Sequence, residues 1–352
     1  MWLDRVGIPI VQAPLAGGAS TPALTAAVLN AGAFGFLAAG YKTPETVAAD
    51  ITTLRTLTDS PYGLNIFVPD DDVDPGSFAP YLDEIAPEAD RHGVTLGEPR
   101  YDDDAFGTKV ELAVSERVPV VSFTFGCPEA AVIRLLHGAG SEVWVTVTDI
   151  QEAEAAVAAG ADVLVAQGSE AGGHRGCFLD RTDREDYGLL VLLQLLTART
   201  DVPVVATGGI GTGAAVAAVL TAGACAAQLG TAFLRCPEAG TSTPHRDALT
   251  RYGRTRLTRA FTGRSARGIE NRFLSEHTSA APVAYPQIHH ATAPLRAAGR
   301  AAGDPDVLNL WAGQAYSLTD DKPAADLIAD LSHELATALA SASRRVREVG
   351  LD

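Results

Sequence analysis

Positive charge is in short supply in this sequence. Across 352 residues, 27 lysines and arginines face 43 aspartates and glutamates, for a formal net charge of −16. Such an excess repels nucleic acid and anionic membrane surfaces, so neither is expected as a partner, and the acidic surplus serves solubility. Cysteine is scarce as well. Cys127, Cys177, Cys225 and Cys236 form no Cys-x-x-Cys pair and match no zinc spacing, so they read as reduced thiols, with no metal site expected. No apolar run approaches the ~20 residues needed to cross a bilayer. No basic segment followed by an apolar one marks a signal peptide, and the cytoplasm is the expected compartment. Low-complexity tracts and sequence repeats are absent too.

What is there is an alternation of short apolar strands and alanine-rich helices. Strands are expected at residues 8–12, 34–39, 62–68, 118–125, 142–147, 163–167, 202–207 and 224–229. Their nearly continuous apolar character fits a parallel sheet covered on both faces. Helix starts are marked by Thr21-Pro22, Thr43-Pro44 and Asp149, and stops by Gly32 and Gly160. Threonine and aspartate cap helix N-termini, and glycine accepts the left-handed backbone after a C-terminus. Eight strand–helix passes predict an α/β fold, a (β/α)8 TIM barrel. The rhythm breaks once. Residues 237–321 are richer in proline, arginine and histidine, carry helical pieces without a clean strand pattern, and precede a last helix over 323–346. The expected division is a barrel from residues 1–236 and 322–352, with 237–321 inserted after strand eight as a cap over its mouth.

Active sites in such barrels form at the C-terminal ends of the strands, and the unusual loops gather there. Gln167-Gly168-Ser169-Glu170-Ala171-Gly172-Gly173-His174-Arg175-Gly176 runs straight out of strand six. Glycine lets a backbone approach a ligand closely, because no Cβ intervenes. A titratable imidazole among such glycines suits proton transfer beside a bound cofactor. Thr207-Gly208-Gly209-Ile210-Gly211 and Gln228-Leu229-Gly230-Thr231 follow strands seven and eight. That is the usual phosphate place in this fold, where backbone N–H groups meet an anion; tight turns that merely need glycine are the plainer explanation. Gly209, Gly211 and Ala214 also fit a G-x-G-x-x-A dinucleotide fingerprint, but Gln228 stands where an acidic residue would be needed.

Asn65, Gln167 and Gln228 set three amides at strand ends. A planar ring with alternating donors and acceptors would satisfy them. A flavin with one phosphate accounts for amides and glycine turns together, although each amide alone is equally served by neighbouring backbone. Secondary candidates surround them. Lys109 is solvated or reaches a phosphate. His289-His290 line the entrance or are structural. Arg264 and Arg267 order the cap through ion pairs. Trp311 and Tyr316 form an aromatic wall or simply pack, and Cys177 borders the histidine loop. A flavin-free lyase or isomerase for a phosphorylated metabolite stays open on the same residues.

Together these segments resemble the nitronate monooxygenase family, formerly called 2-nitropropane dioxygenases, in its bacterial FMN-only class. The resemblance rests on Gln12-Ala13-Pro14-Leu15-Ala16-Gly17-Gly18, Tyr62-Gly63-Leu64-Asn65, Ser122-Phe123-Thr124-Phe125-Gly126, the loop 167–176, Ala206-Thr207-Gly208-Gly209-Ile210 and Gln228-Leu229-Gly230-Thr231, and extends into 262–271 and 310–314. It implies FMN at the barrel mouth, held by Ala13, Pro14, Leu15, Asn65, Gln167, Gly172, Gly173, Gly208, Gly209, Gln228, Leu229, Gly230 and Thr231, with His174 as catalytic base titrating near the working pH. It implies oxidation of alkyl nitronates, propionate 3-nitronate among them, with O2 to a carbonyl compound and nitrite. Relatives on this scaffold also act as NAD(P)H:quinone reductases or enoyl-acyl-carrier-protein reductases, which are the alternative activities. Leu15 and Leu229 stand where the family commonly has methionine. The assembly is left open, a homodimer included.

Overall fold

The computed structural model describes Trp2 and residues 6–183, 185–251 and 253–349. Eight parallel strands close into a barrel. They are β1 (Ile10–Gln12), β2 (Phe34–Ala38), β3 (Gly63–Phe67), β4 (Val120–Thr124), β5 (Glu142–Val147) and β6 (Val163–Gln167), then, past the two-residue strand β7 (Gly173–His174) that lies outside the barrel, β8 (Val204–Thr207) and β9 (Ala226–Leu229). β9 pairs back onto β1. Every expected strand is present, most trimmed by a residue or two where the ladder ends. These strands are buried, which is why their sequences lack a polar face. Phe34, Phe36 and Trp144 meet with ring centroids 5.3 to 5.7 Å apart. β2 and β5 are not neighbours, so these rings meet across the interior. Gly63 makes room for them: a Cβ there would lie 2.2 Å from the Phe36 ring.

The barrel helices are α1 (Pro22–Asn30), α2 (Pro44–Leu57), α4 (Phe106–Ser115), α5 (Ala130–Ala139), α6 (Ile150–Ala159), α7 (Leu189–Thr197) and α8 (Gly213–Thr221), with α3 (Ala79–Arg91) lying before α4. Their starts follow the sequence signals. Thr21 Oγ1 accepts from the Leu24 N–H at 3.0 Å and Asp149 Oδ1 from that of Glu152 at 2.9 Å. The late helix α12 (Ala324–Glu348) packs against α8 and α1 and so fills the place of the eighth barrel helix.

The chain between β9 and α12 departs from expectation. It holds α9 (Thr243–Ala248), α10 (Arg272–His277) and α11 (Gln287–Ala302), but also two strands, β10 (Thr255–Thr258) and β11 (Ala266–Ile269). These pair antiparallel, and β11 pairs on its other side with β7, so His174 belongs to a three-stranded sheet shared with the cap. Thr-Arg-Leu-Thr and Ala-Arg-Gly-Ile are too short and too polar to separate from loop by pattern alone. A second surprise is α3. Phe78, Tyr81 and Ile85 pack with Phe261, Phe273, Ile288 and Leu295 in a core of their own, and Tyr81 Oη donates to the Ala260 carbonyl at 2.7 Å. The segment between β3 and β4 therefore supplies a wall of the cap as well as the barrel helix α4.

Candidate active site

At the C-terminal ends of the strands, under the cap, lies a cavity of about 420 Å³. Ala13, Pro14, Leu15, Asn65, Gln167, Gly172, Gly173, His174, Gly208, Gly209, Gln228, Gly230 and Thr231 all line it. Leu229 does not: its side chain is buried in the barrel core and only its carbonyl looks toward the mouth, accepting from the Ala13 N–H at 2.8 Å. Alternation along β9 sends Gln228 inward and Leu229 outward.

His174 is held from three sides. Its backbone is a strand residue opposite Ala266. Gln167 Nε2 donates to the His174 carbonyl at 3.1 Å. Nε2 of the ring lies 2.9 Å from Thr262 Oγ1. Phe125, Tyr285 and Trp311 surround the imidazole with centroids 5.5 to 5.9 Å away. Burial, then the nearby charges of Arg264 and Arg296, press its pKa down to about 3. The ring is therefore neutral at ordinary pH, but a weaker base than an imidazole titrating near the working pH.

The amides divide their work. Gln167 Oε1 accepts from Arg175 Nη1 at 2.9 Å and from the Gly176 N–H at 2.8 Å, so it mostly folds the histidine loop. Arg175 completes that fold, donating to the Gly168 carbonyl and to Asp186. Asn65 Nδ2 donates to Ser122 Oγ and Thr124 Oγ1 at 2.9 and 3.0 Å, leaving its oxygen toward the cavity. The Gln228 amide has no side-chain hydrogen bond among the described residues. Gln12, a fourth strand-end amide, is entirely structural: Nε2 donates to the Ala13 carbonyl and Ser20 Oγ, and Oε1 accepts from the Phe36 N–H.

The glycine turns also separate on inspection. Gly208 and Gly209 have φ of 116° and 68°, backbone that side chains rarely adopt. Among the described residues the N–H groups of Gly208, Gly209, Gly230 and Thr231 donate to no other backbone carbonyl. All four residues line the cavity, and unpaired backbone N–H groups gathered in this way are what an anion cradle requires. Gly173 (φ 74°) has nothing within 4 Å of where a Cβ would stand, so that surface is open to a ligand. Gly172 differs: a Cβ there would lie 2.4 Å from the Gly313 nitrogen, so it is glycine to admit the cap. Glu170 works structurally as well, its carboxylate capping α7 at the Leu189 N–H. Four orphan N–H donors, a free amide oxygen and a free amide fit a flat heteroaromatic group carrying one phosphate.

Comparison with known proteins reaches the same place. The family model described as nitronate monooxygenase matches residues 4–334. The chain belongs to the nitronate monooxygenase family. It is 41% identical to a nitronate monooxygenase of Pseudomonas aeruginosa, over 93% of this chain and 96% of the relative. It is 40% identical to one of Paraburkholderia phytofirmans, over 95% and 94%. Among solved structures, the nitroalkane oxidase of Streptomyces ansochromogenes superposes with a TM-score of 0.94 at 48% identity, covering 96% of this chain and 99% of that one. The chain is thus an oxidoreductase acting on a small molecule, built on a TIM barrel. Among the described residues, no helix is long and apolar enough to cross a membrane.

The secondary candidates fall into place against this family background. Lys109 is neither solvated nor near the cavity: it is fully buried on α4, 2.7 Å from Asp104. Arg264 pairs with Asp70 and lies over the Phe125 ring, as an ordering residue would. Arg267 forms no ion pair among the described residues and instead donates to the Ser169 carbonyl at 2.9 Å. His289 stacks on Tyr41 at 4.2 Å behind the site, and Cys177 is buried away from the cavity. Trp311 is a wall of the cavity, while Tyr316 packs in the cap and donates to the Arg251 carbonyl. Glu88, Glu276 and His277 lie close enough to share an ion, but Glu88 is already engaged by Arg272 and Arg91. Thr262 meets His174 across 88 positions, a pairing no local pattern reveals, whereas Arg175 and Arg296 bond to groups 4 to 11 positions away and are set apart only by their burial.

Proposed function

We propose that this enzyme is an FMN-dependent nitronate monooxygenase of the FMN-only class, oxidising alkyl nitronates such as propionate 3-nitronate with O2 to a carbonyl compound and nitrite. One observation carries the reading: the neutral His174 imidazole faces a cavity walled largely by glycine backbone, amides and aromatic rings, while His245, the other histidine of the lining, has its Nε2 3.0 Å from the Trp311 carbonyl. Bound FMN would supply the electron transfer and the oxygen chemistry. The chain's own residues do the rest. The N–H groups of Gly208, Gly209, Gly230 and Thr231 hold the phosphate. Asn65 Oδ1 and the Gln228 amide meet the ring edge. Phe125 and Trp311 keep bulk water from the substrate.

His174 serves two substrates differently. From a neutral nitroalkane it must take the proton on the carbon next to nitrogen, and a pKa near 3 makes it a weak base for that step. A nitronate arrives already ionised. Its negative charge is favoured by the Arg264 and Arg296 guanidiniums, whose field reaches the imidazole. Electrostatics therefore favour the nitronate over its parent nitroalkane. The test is anaerobic mixing of the purified holoenzyme with a nitronate panel, NADH and NADPH while flavin absorbance is followed. Rapid bleaching by nitronates alone is the expected result. Bleaching by NAD(P)H and not by nitronates would make it a reductase, and a colourless protein that retains no flavin would overturn the cofactor.

A further inference from the structure

We propose that Thr262 is the positioning residue that fixes His174 as its Nε2–H tautomer, so that the lone pair on Nδ1 is the one presented to the cavity. Thr262 Oγ1 lies 2.9 Å from His174 Nε2 and 3.2 Å from the Arg264 carbonyl oxygen. A threonine hydroxyl has one proton to give and lone pairs to receive. A carbonyl can only accept. Among the described residues the Arg264 carbonyl has no other donor, and Arg264 is 1% exposed, so losing that hydrogen bond would strand a buried acceptor. The hydroxyl proton therefore goes to the carbonyl, and the hydroxyl oxygen must receive a proton from the imidazole. A neutral imidazole carries one ring proton, and His174 is neutral. That proton sits on Nε2. Nδ1 has no hydrogen-bond partner among the described residues, and the ring lines the cavity.

Thr262 is itself well anchored. It is 1% exposed, its N–H donates to the Arg259 carbonyl at 3.2 Å, and its β-branched side chain has little rotamer freedom. It does not line the cavity, so it acts through the histidine and not on the substrate. The use made of Nδ1, accepting a proton from a nitroalkane, rests on the function proposed above; the tautomer does not.

The experiment is nitrogen NMR of holoenzyme carrying ¹⁵N-labelled histidine, with the His174→Gln spectrum assigning the resonances. Wild type and Thr262→Ser should show a protonated Nε2 and a lone-pair Nδ1, and Thr262→Val should lose or reverse that preference. Turnover of neutral nitroalkanes should fall about 10²-fold in Thr262→Val, recover in Thr262→Ser, and stay nearly unchanged on pre-formed nitronates. A wild-type spectrum with the proton on Nδ1, or an unchanged tautomer in Thr262→Val, overturns the assignment; the wild-type spectrum alone decides it if Thr262→Val does not fold. A reversed tautomer with undiminished nitroalkane turnover upholds Thr262 and overturns His174 as the base.

Discussion

The barrel and the cap are held together by different physics. Barrel strands are apolar, and most neighbours in the sheet are neighbours in the chain, joined by one helix. The cap core gathers Phe78 and Tyr81 from before β4 with Phe261, Phe273 and Ile288 from beyond β9. Its ties to the barrel loops add charged pairs, Arg259 to Asp180 at 2.8 Å and Arg264 to Asp70, to the β7–β11 ladder and the packing of Tyr285 on Phe67 and Phe125. Four histidines whose pKa values are pressed down by burial, His174, His245, His289 and His290, sit on cap elements or on the sheet the cap shares. The frame is thus apolar and repetitive, while the seam is charged and titratable. Chemistry has been placed at the seam, where polar groups are buried and cannot be rearranged by water.

The sharpest way to break this division is Gly172→Val. Its Cβ would stand 2.4 Å from the Gly313 nitrogen and 2.5 Å from the Ala312 carbonyl carbon, backbone that cannot swing aside. The expected outcome is loss of bound flavin and of hydrogen-exchange protection across 310–316, with barrel strands still protected. If the strands lost protection as well, cap and barrel would be one cooperative unit. Gly209→Asp attacks the other side of the seam. At φ 68°, with a Cβ 2.9 Å from that of Glu170, it brings strain and a negative charge to the anion cradle. Flavin content should collapse while the far-ultraviolet circular dichroism stays the same; full flavin content would move the phosphate elsewhere.

Arg264→Met removes the buried partner of Asp70 and should cost about 3 kcal/mol in urea unfolding. Adding Asp70→Asn should restore part of that loss if the pair is the cause. Acid should act on the seam next. The pKa values of His174 and His245 are lowered from 6.5 to about 3 and about 4. Below about 6.5 the unfolded chain protonates these rings and the folded chain does not. The unfolded state then binds more protons, so stability is full above that pH and drains away as pH falls toward the folded values. Thermal melts from pH 7.5 to 4.5 should show the decline, and His245→Gln should flatten it; an unchanged slope would assign it to carboxylates. The smallest effects are expected from two leucines. Leu15→Met, in the cavity wall, should shift KM and leave stability alone. Leu229→Met, in the core, should cost less than about 1.5 kcal/mol and leave KM alone.

The barrel was legible because each of its signals is local. Thr21 and Asp149 cap the helices they precede, Gly160 stops α6 at φ 106°, and the apolar strands announce themselves within five residues. The candidate site was legible in part for the same reason, since the glycine turns and Asn65, Gln167 and Gln228 all fall at strand ends. Local pattern could not separate their roles. Gln167 and Gly172 share a wall with Asn65 and Gly173, yet the first pair is used by the fold and the second is open to a ligand.

By itself, the order of apolar and turn residues determined that there would be eight barrel strands, where they would end, and that one histidine would stand among glycines at an end. Only the tertiary structure decided that this histidine would be a strand of the cap sheet, neutral, and bonded to a threonine 88 positions away. The reason is physical: periodicity records which face of an element is apolar, whereas protonation and pairing depend on what burial brings beside a group from elsewhere in the chain.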